Sequence, residues 1–182
     1  MDRAKAIELV RGYVKKDNNV KHMLAVGAVM RGLARRLGED EEKWEVTGIL
    51  HDIDFEVCGR MEDHAKIAAS ILSGKVSEEV IEAILAHNHE NTGVLVDTAM
   101  KRALVASDAV SGLLVAAALV TPSKKLSEVK KESLVKKFRS KDFARGADRE
   151  RIRVCEEIGL SVEDFLEIAL TSLQEIAEEI NL

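Results

Sequence analysis

Residues 48–54, Gly-Ile-Leu-His-Asp-Ile-Asp (GILHDID), place a histidine beside an aspartate at the end of an apolar helical stretch. The chain has five histidines, and all of them lie between residues 22 and 89: His22, His51, His64, His87 and His89. Unpaired imidazoles are poor core residues and have no reason to cluster. Neutral imidazole and carboxylate are the ligands that hold borderline divalent ions. The cluster therefore predicts a metal site.

The composition is typical of a helical protein. Apolar residues make up 46% of the 182 residues, aromatic residues only 3%, and there is one proline. Abundant Ala, Leu, Glu and Lys favour helix over strand. A chain of this length suits one domain with a core large enough to fold unaided. We therefore expect a single all-α domain over residues 1–182.

Helical periodicity and capping residues divide the chain. Helices are expected at about residues 2–16, 19–37, 40–53, 62–73, 77–88, 97–120 and 161–180. Connections are expected at 54–61 and 89–96, and the long apolar helix must end before Pro122, since residues before proline avoid the helical conformation. Gly38 is expected to end the second helix, while Asp40 and Ser161 are expected to cap helices.

Charge and targeting signals exclude several classes of protein. A net charge of −5 argues against general nucleic-acid binding. The N-terminal MDRAKAIELV predicts an amphipathic helix, and the longest apolar run, residues 113–120, is shorter than the roughly 18 residues that a membrane span needs. Cys58 and Cys155 lack Cys-x-x-Cys spacing, which is typical of packing residues in a reducing compartment. We expect a cytoplasmic protein with no membrane partner.

Helical phase separates candidate metal ligands from other histidines. Each of four residues lies on the apolar face of its own predicted helix: His22, His64, His87 and Asp108. A lone inward histidine is usually a hydrogen-bonded core residue, but an ionised aspartate on such a face is costly without a partner, and a metal is the simplest one. His89 projects about 200° away from His87 around a helix, which favours a surface position or a contact with substrate.

The ligands must come from separate helices. Twenty-nine residues separate His22 from His51, and 56 separate Asp52 from Asp108, so the site is tertiary. Thr47 and Gly48 lie one turn before the His-Asp pair, and such small residues allow another helix to approach closely.

The order of these motifs resembles the HD-domain superfamily, whose signature is a histidine, an HD dipeptide and a distant aspartate. The matching stretches are VKHMLAV at 20–26, GILHDID at 48–54 and ALVASDAV at 103–110. EDHAKIAASIL at 62–72 and AILAHNHE at 83–90 resemble the additional histidines of the two-metal branch. The resemblance covers about residues 1–120, and residues 121–182 match uncharacterised HDIG-type proteins only loosely. Asp54 stands where the family usually has glycine, and no GYP motif follows.

The resemblance implies a helical bundle around a mono- or binuclear metal centre in a phosphohydrolase that acts on a phosphomonoester or nucleotide. Carried over residue by residue, the ligands of a first ion are His22, His51, Asp52 and Asp108. Asp52 would bridge to a second ion held by His64 and His87, and His51 and Asp52 would be catalytic, with a metal-activated hydroxide attacking phosphorus. Mixed N/O ligation favours Mn, Fe, Co, Ni or Zn over Mg. The family also leads us to expect a homodimer.

The segment 121–153 holds 12 Lys or Arg and 5 Asp or Glu on an otherwise acidic chain. Two interpretations stay open. The segment could bind a small phosphorylated substrate through Lys136, Lys137 and Arg139, and His89 is a separate candidate contact outside the segment. Alternatively, it is a solvated helix face that balances acidic neighbours, followed by the C-terminal helix.

Two other functions also stay open. An HD-type di-iron oxygenase would use the same ligand set with O₂, and iron content with O₂ uptake would distinguish it. A non-catalytic signalling or interaction module would keep the bundle without turnover.

Overall fold

The computed structural model describes residues 1–182, and every regular element in it is helical. The α-helices are α1 (Arg3–Tyr13), α2 (Asp17–Leu37), α3 (Glu41–Leu50), α4 (Lys66–Leu72), α5 (Glu78–His87), α6 (His89–Thr92), α7 (Ala99–Leu119), α8 (Lys131–Arg139), α9 (Arg149–Arg153), α10 (Val162–Glu175) and α11 (Ala177–Ile180). Two 3₁₀ segments cover Leu126–Glu128 and Val154–Ile158. The predicted all-α class is confirmed.

The helix ends follow from the capping residues. The Asp40 carboxylate accepts the backbone N–H of Lys43 at the start of α3, and the Ser161 hydroxyl does the same for Asp164 in α10. Gly38 ends α2 in the left-handed conformation that glycine adopts without strain. These three predicted caps are confirmed.

Four predicted boundaries differ from the structure. α3 ends at Leu50, because residues 51–57 form consecutive turns. α4 begins at Lys66 rather than near residue 62, and Ala65 before it has a φ of 68°. The predicted connection 89–96 contains the short α6, and the last helix is interrupted at Ile176.

Close contact between α2 and α3 positions the first two histidines. These helices form the most extensive helix–helix contact of the fold. A Cβ atom on Gly48 would lie 2.7 Å from the Cα atom of Gly27, so only glycine at residue 48 permits this approach. The expectation that small residues before His51 admit another helix is therefore confirmed. The approach brings His22 on α2 next to His51 at the end of α3.

A single apolar core includes residues from Ala6 in α1 to Ile180 in α11. It takes in Phe165 and Leu173 of α10, which packs against α2. Residues after 120 therefore share the core of the preceding part of the chain, and this places α9 against α7.

α7 is the most deeply placed of the long helices and carries Asp108. By length and composition this helix is apolar enough to cross a membrane, which the shorter apolar run of 113–120 did not predict. In the bundle, however, 61% of its apolar window is buried against other helices. The apolar composition of α7 is thus that of a core helix, with Asp108 as its half-buried acidic residue.

Candidate metal centre

Six side chains converge from five parts of the chain: His22 on α2, His51 and Asp52 after α3, His64 before α4, His87 at the end of α5 and Asp108 on α7. Asp52 lies at the centre of the group. Its Oδ1 atom is 3.2 Å from His64 Nε2, 3.4 Å from His51 Nε2 and 3.5 Å from His87 Nε2. His22 Nε2 lies 3.6 Å from Asp52 Oδ2 and 3.3 Å from Asp108 Oδ1.

The far nitrogen of each histidine donates a hydrogen bond away from this centre. His51 Nδ1 donates to the carbonyl oxygen of Gly48 over 2.7 Å, and His87 Nδ1 donates to the carbonyl oxygen of Ile84. His64 Nδ1 donates to Asp54 Oδ1 over 2.8 Å.

His22 completes the set. Its Nδ1 atom lies 3.0 Å from the Ser111 hydroxyl, which itself donates to the carbonyl oxygen of Asp108 and so accepts from the imidazole. With each Nδ1 atom occupied in this way, the four Nε2 atoms face Asp52. This arrangement is how proteins orient histidine ligands around a metal.

Burial is unequal across the cluster. His51 is fully buried, and His64 and His87 are each only 4% exposed. The side chains of His22 and Asp108 are 31% and 26% exposed. The centre is therefore more exposed on the side of His22 and Asp108 than on the side of His64 and His87.

The donor atoms fit a divalent cation. His51 Nε2 is buried and has no hydrogen-bond partner. The Nε2 atoms of His64 and His87 face each other at 3.0 Å, so their lone pairs repel unless a cation lies near them. Two groups have donor atoms within 4.8 Å of one another: His22, His51, Asp108; and His51, Asp52, His87. Imidazole and carboxylate together suit transition-metal ions.

The electrostatics of the site also stabilise positive charge. Burial lowers the pKa of His51, but Asp52 and Asp108 outweigh it and raise this pKa well above its usual value. Burial also lowers the pKa of His64, yet Asp52 and Asp54 raise it to about 9. Burial raises the pKa of Asp52 and of Asp108, but the adjacent imidazoles hold both pKa values well below their usual range. The negative potential of these carboxylates would stabilise a bound metal ion in the same way as it stabilises a proton.

Asp54 is a supporting residue whose role the sequence pattern did not reveal. It is fully buried, and while Oδ1 accepts from His64, Oδ2 accepts the backbone N–H groups of Ala65 and Ala68 over 2.9 and 3.0 Å. The carboxylate thus orients one imidazole and caps the start of α4. Its signal in the sequence is the departure from glycine in HDID.

Two further residues support the site: Asn88, within the AILAHNHE stretch, and Arg151, which lies outside the recognised motifs. The Asn88 side-chain amide donates to the carbonyl oxygens of Met61 and His64 over 3.1 and 3.0 Å. Arg151 Nη2 on α9 donates to the carbonyl oxygen of His87 over 2.7 Å and lies 3.5 Å from Asp108 Oδ2. Neither the spacing nor the charge of the basic segment distinguished Arg151 from its neighbours.

A cavity of about 590 Å³ opens over the cluster. Its walls are formed by Asn19, His22, Asp52, Phe55, Met61, His64, His87, Asn88, Glu90, Asn91, Asp108 and Arg151. Five of the six converging side chains reach it, while His51 lies behind them.

The four expected substrate contacts do not line this cavity. Arg139 pairs with Glu163 at 2.8 Å, Lys137 lies over the ring of Phe143, and Lys136 is exposed, so none of these three lines the cavity. His89 is half-buried and does not line it either. The charged side chains of α8 lie away from the cavity, because the apolar residues Leu134 and Phe138 of this helix face the core. The one basic side chain at the cavity is Arg151.

Part of the chain is similar to known proteins. The HD domain family model matches residues 19–120, a range that contains all six converging side chains. Ribonuclease Y of Lawsonia intracellularis (strain PHE/MN1-00) is 35% identical over 97 residues, which are 52% of this chain and 18% of that relative. The match thus spans less than a fifth of the length of the relative. No solved structure matches the chain.

Proposed function

This chain belongs to the HD-domain family, whose members are generally metal-dependent hydrolases, and from that premise we propose that it hydrolyses small phosphomonoesters. The observation that carries the proposal is the shared orientation of four imidazoles. Each donates its Nδ1 proton outward, so that four Nε2 atoms surround Asp52. An apolar core has no need for four such orientations, whereas a metal centre requires them.

The residues fall into two overlapping ligand groups. We assign the first ion to His22, His51, Asp52 and Asp108, and a second ion to Asp52, His64 and His87. When bound, such ions polarise phosphoryl oxygens and lower the pKa of a coordinated water. The chain itself supplies the rigid outer bonds that hold the imidazole protons at Nδ1. The fully buried His51 closes the side of the centre that lies away from the cavity.

The cavity over the metal centre favours a small anionic substrate. Substrate enters on the more exposed side, between His22 and Asp108, into the cavity of about 590 Å³. Arg151 complements a phosphoryl group there. A long nucleic-acid substrate is disfavoured because the chain carries a net charge of −5.

Metal analysis followed by a phosphate-release screen tests this function. We expect the purified protein to bind one or two transition-metal ions and, with Mn²⁺ added, to release phosphate from nucleoside monophosphates or sugar phosphates. Asp63→Ala, an exposed carboxylate one residue from His64, is the matched control and should keep both properties.

Three results would contradict the proposal. The first is a folded protein that takes up no metal, which would favour a non-catalytic module. The second is iron with O₂ uptake and no phosphate release, which would indicate the oxygenase. The third is turnover of a short RNA or of bis(p-nitrophenyl) phosphate without any monoester turnover, which would indicate a phosphodiesterase.

A further inference from the structure

Arg151 is oriented toward the metal centre by contacts at both of its ends. At the backbone, Asp148 caps α9 by accepting the N–H groups of Glu150 and Arg151. At the tip, Nη2 donates to the carbonyl oxygen of His87. The structure gives Nε and Nη1 no protein acceptor, although a guanidinium has five N–H donors in a fixed plane. The free donors of a partly exposed, pre-oriented guanidinium are available to an anion.

The other two arginines of α9, Arg149 and Arg153, bind groups outside the metal centre. Arg149 donates to the carbonyl oxygens of Phe143, Ala144 and Ala147, and so shapes the loop that precedes α9. Arg153 pairs with Glu156 at 3.3 Å and lies over the ring of Phe138. Arg151 is therefore the residue of α9 whose charge faces the site.

A second cavity lies on the other side of Arg151. It has a volume of about 510 Å³ and shares His22, Asp108 and Arg151 with the cavity over the metal centre. Most of its remaining wall consists of small residues from α7 and from the loop before α9: Ala109, Ser111, Gly112, Ala116, Ala144, Gly146 and Ala147. A Cβ atom on Gly112 would meet no atom within 4 Å, so this wall is open.

The two cavities differ in chemistry. The cavity over the metal centre is lined by imidazoles and carboxylates, whereas the second cavity has mostly Ala and Gly walls. Arg151 is the only Lys or Arg in either lining. We infer that Arg151 binds a phosphoryl oxygen of the substrate and that the second cavity receives the organic group attached to that phosphoryl. This assignment rests on the proposed function.

The role of Arg151 is tested with inorganic phosphate as the probe. In the Mn²⁺-loaded protein, Arg151→Gln should weaken phosphate binding by about tenfold to a hundredfold, the range expected for the loss of a charge-assisted hydrogen bond, when the Kd is measured by titration calorimetry. Arg151→Lys should recover part of that affinity, because it restores the charge but not the planar donors. Arg153→Gln, the same change two residues along α9, should leave the Kd unaltered.

Metal content separates substrate binding from a merely structural role. If Arg151 binds substrate, Arg151→Gln keeps the wild-type amount of Mn²⁺ by elemental analysis. An unchanged phosphate Kd in this variant would overturn the inference, and so would a loss of phosphate affinity that only follows a loss of metal.

The second cavity is tested by filling it. Gly112→Leu should raise the KM for p-nitrophenyl phosphate by about fivefold or more, because the added side chain occupies space that the aromatic leaving group needs. It should leave the Kd of inorganic phosphate within about twofold of wild type. Gly12→Leu in α1 is the matched control, since a Cβ there also meets no atom within 4 Å. An unchanged KM in Gly112→Leu would overturn the assignment of this cavity.

Failure of the inference and failure of the proposed function give different results. A wild-type protein that binds phosphate through Arg151 but hydrolyses no ester overturns only the proposed function. An active wild type whose Arg151→Gln and Gly112→Leu variants behave normally overturns only the inference.

Discussion

Residues 1–120 and residues 121–182 contribute to the site in different ways. The first part supplies all six converging side chains, and two of its histidines are oriented by carbonyl oxygens only three residues back, Gly48 for His51 and Ile84 for His87. The second part supplies Arg151, whose contacts lie 43 and 64 residues away along the chain. A hydrogen bond between residues three apart is accompanied by a recognisable sequence pattern, whereas a hydrogen bond between distant residues is not.

The same difference explains why the histidines were recognisable and the arginine was not. A helix end that presents a histidine to the core needs apolar neighbours at fixed spacing, and those neighbours are visible in the sequence. A basic segment shows only its net charge, because ion pairs such as Arg139 with Glu163 form after folding. The predictions below test this contrast, in decreasing order of expected effect.

The largest effect is expected at the shared carboxylate. Asp52→Ala should remove both ions and abolish phosphate release, because Asp52 Oδ1 lies within 3.5 Å of three imidazole Nε2 atoms. His64→Ala should remove only the second ion and keep the first. Elemental analysis and phosphate release measure both. Wild-type metal content in Asp52→Ala would show that the cluster is a hydrogen-bonded core.

A smaller loss is expected when the support of one ligand is removed. Asp54→Asn has nearly the same shape but places an amide donor near groups that already donate, so His64 loses its fixed orientation. Metal affinity should fall by about tenfold to a hundredfold, as measured by competition with a chelator. Asp63→Asn, an exposed carboxylate paired with Arg60, is the control and should leave affinity unaltered. Equal affinities in the two variants would contradict a role for Asp54.

A variant that separates α2 from α3 is expected to change the stability of the fold rather than metal binding. Gly48→Ala places a methyl group 2.7 Å from the Gly27 Cα atom. The clash is with the backbone of α2, which can move away only if the two helices separate. The free energy of unfolding should fall by about 1–3 kcal/mol, as measured by urea denaturation. Gly12→Ala meets no atom within 4 Å and should instead be neutral or add up to about 1 kcal/mol of stability. Equal effects would show that the two helices can separate freely.

The smallest effect is expected in the basic segment. Lys136→Glu combined with Lys137→Glu reverses two charges on α8 that do not line the cavities at the metal centre. The Kd of inorganic phosphate should stay within about twofold of wild type. A tenfold loss would show that the field of the whole segment, rather than Arg151 alone, attracts the anion.

Much of the fold and of the site was predictable. The helical class and three caps followed from helix propensity and capping chemistry. The close approach of α2 at Gly48 followed from the small size of that residue. The start of α4 was not predictable from periodicity, because the apolar stripe of residues 64–71 is compatible with a helix that begins earlier. The Asp54 carboxylate instead caps α4 at Ala65 and Ala68, so His64 lies in a turn before the helix.

The sequence by itself indicated which side chains face inward, since helical phase is a local property and the HD signature is an ordered series of short stretches. Only the tertiary structure decided which nitrogen of each imidazole faces the centre, that Asp54 supports His64, and that Arg151 is the basic residue at the cavity. The physical reason is that a hydrogen bond between distant segments depends on their separation in space. That separation is set by the packing of the whole core, and no short stretch of sequence contains it.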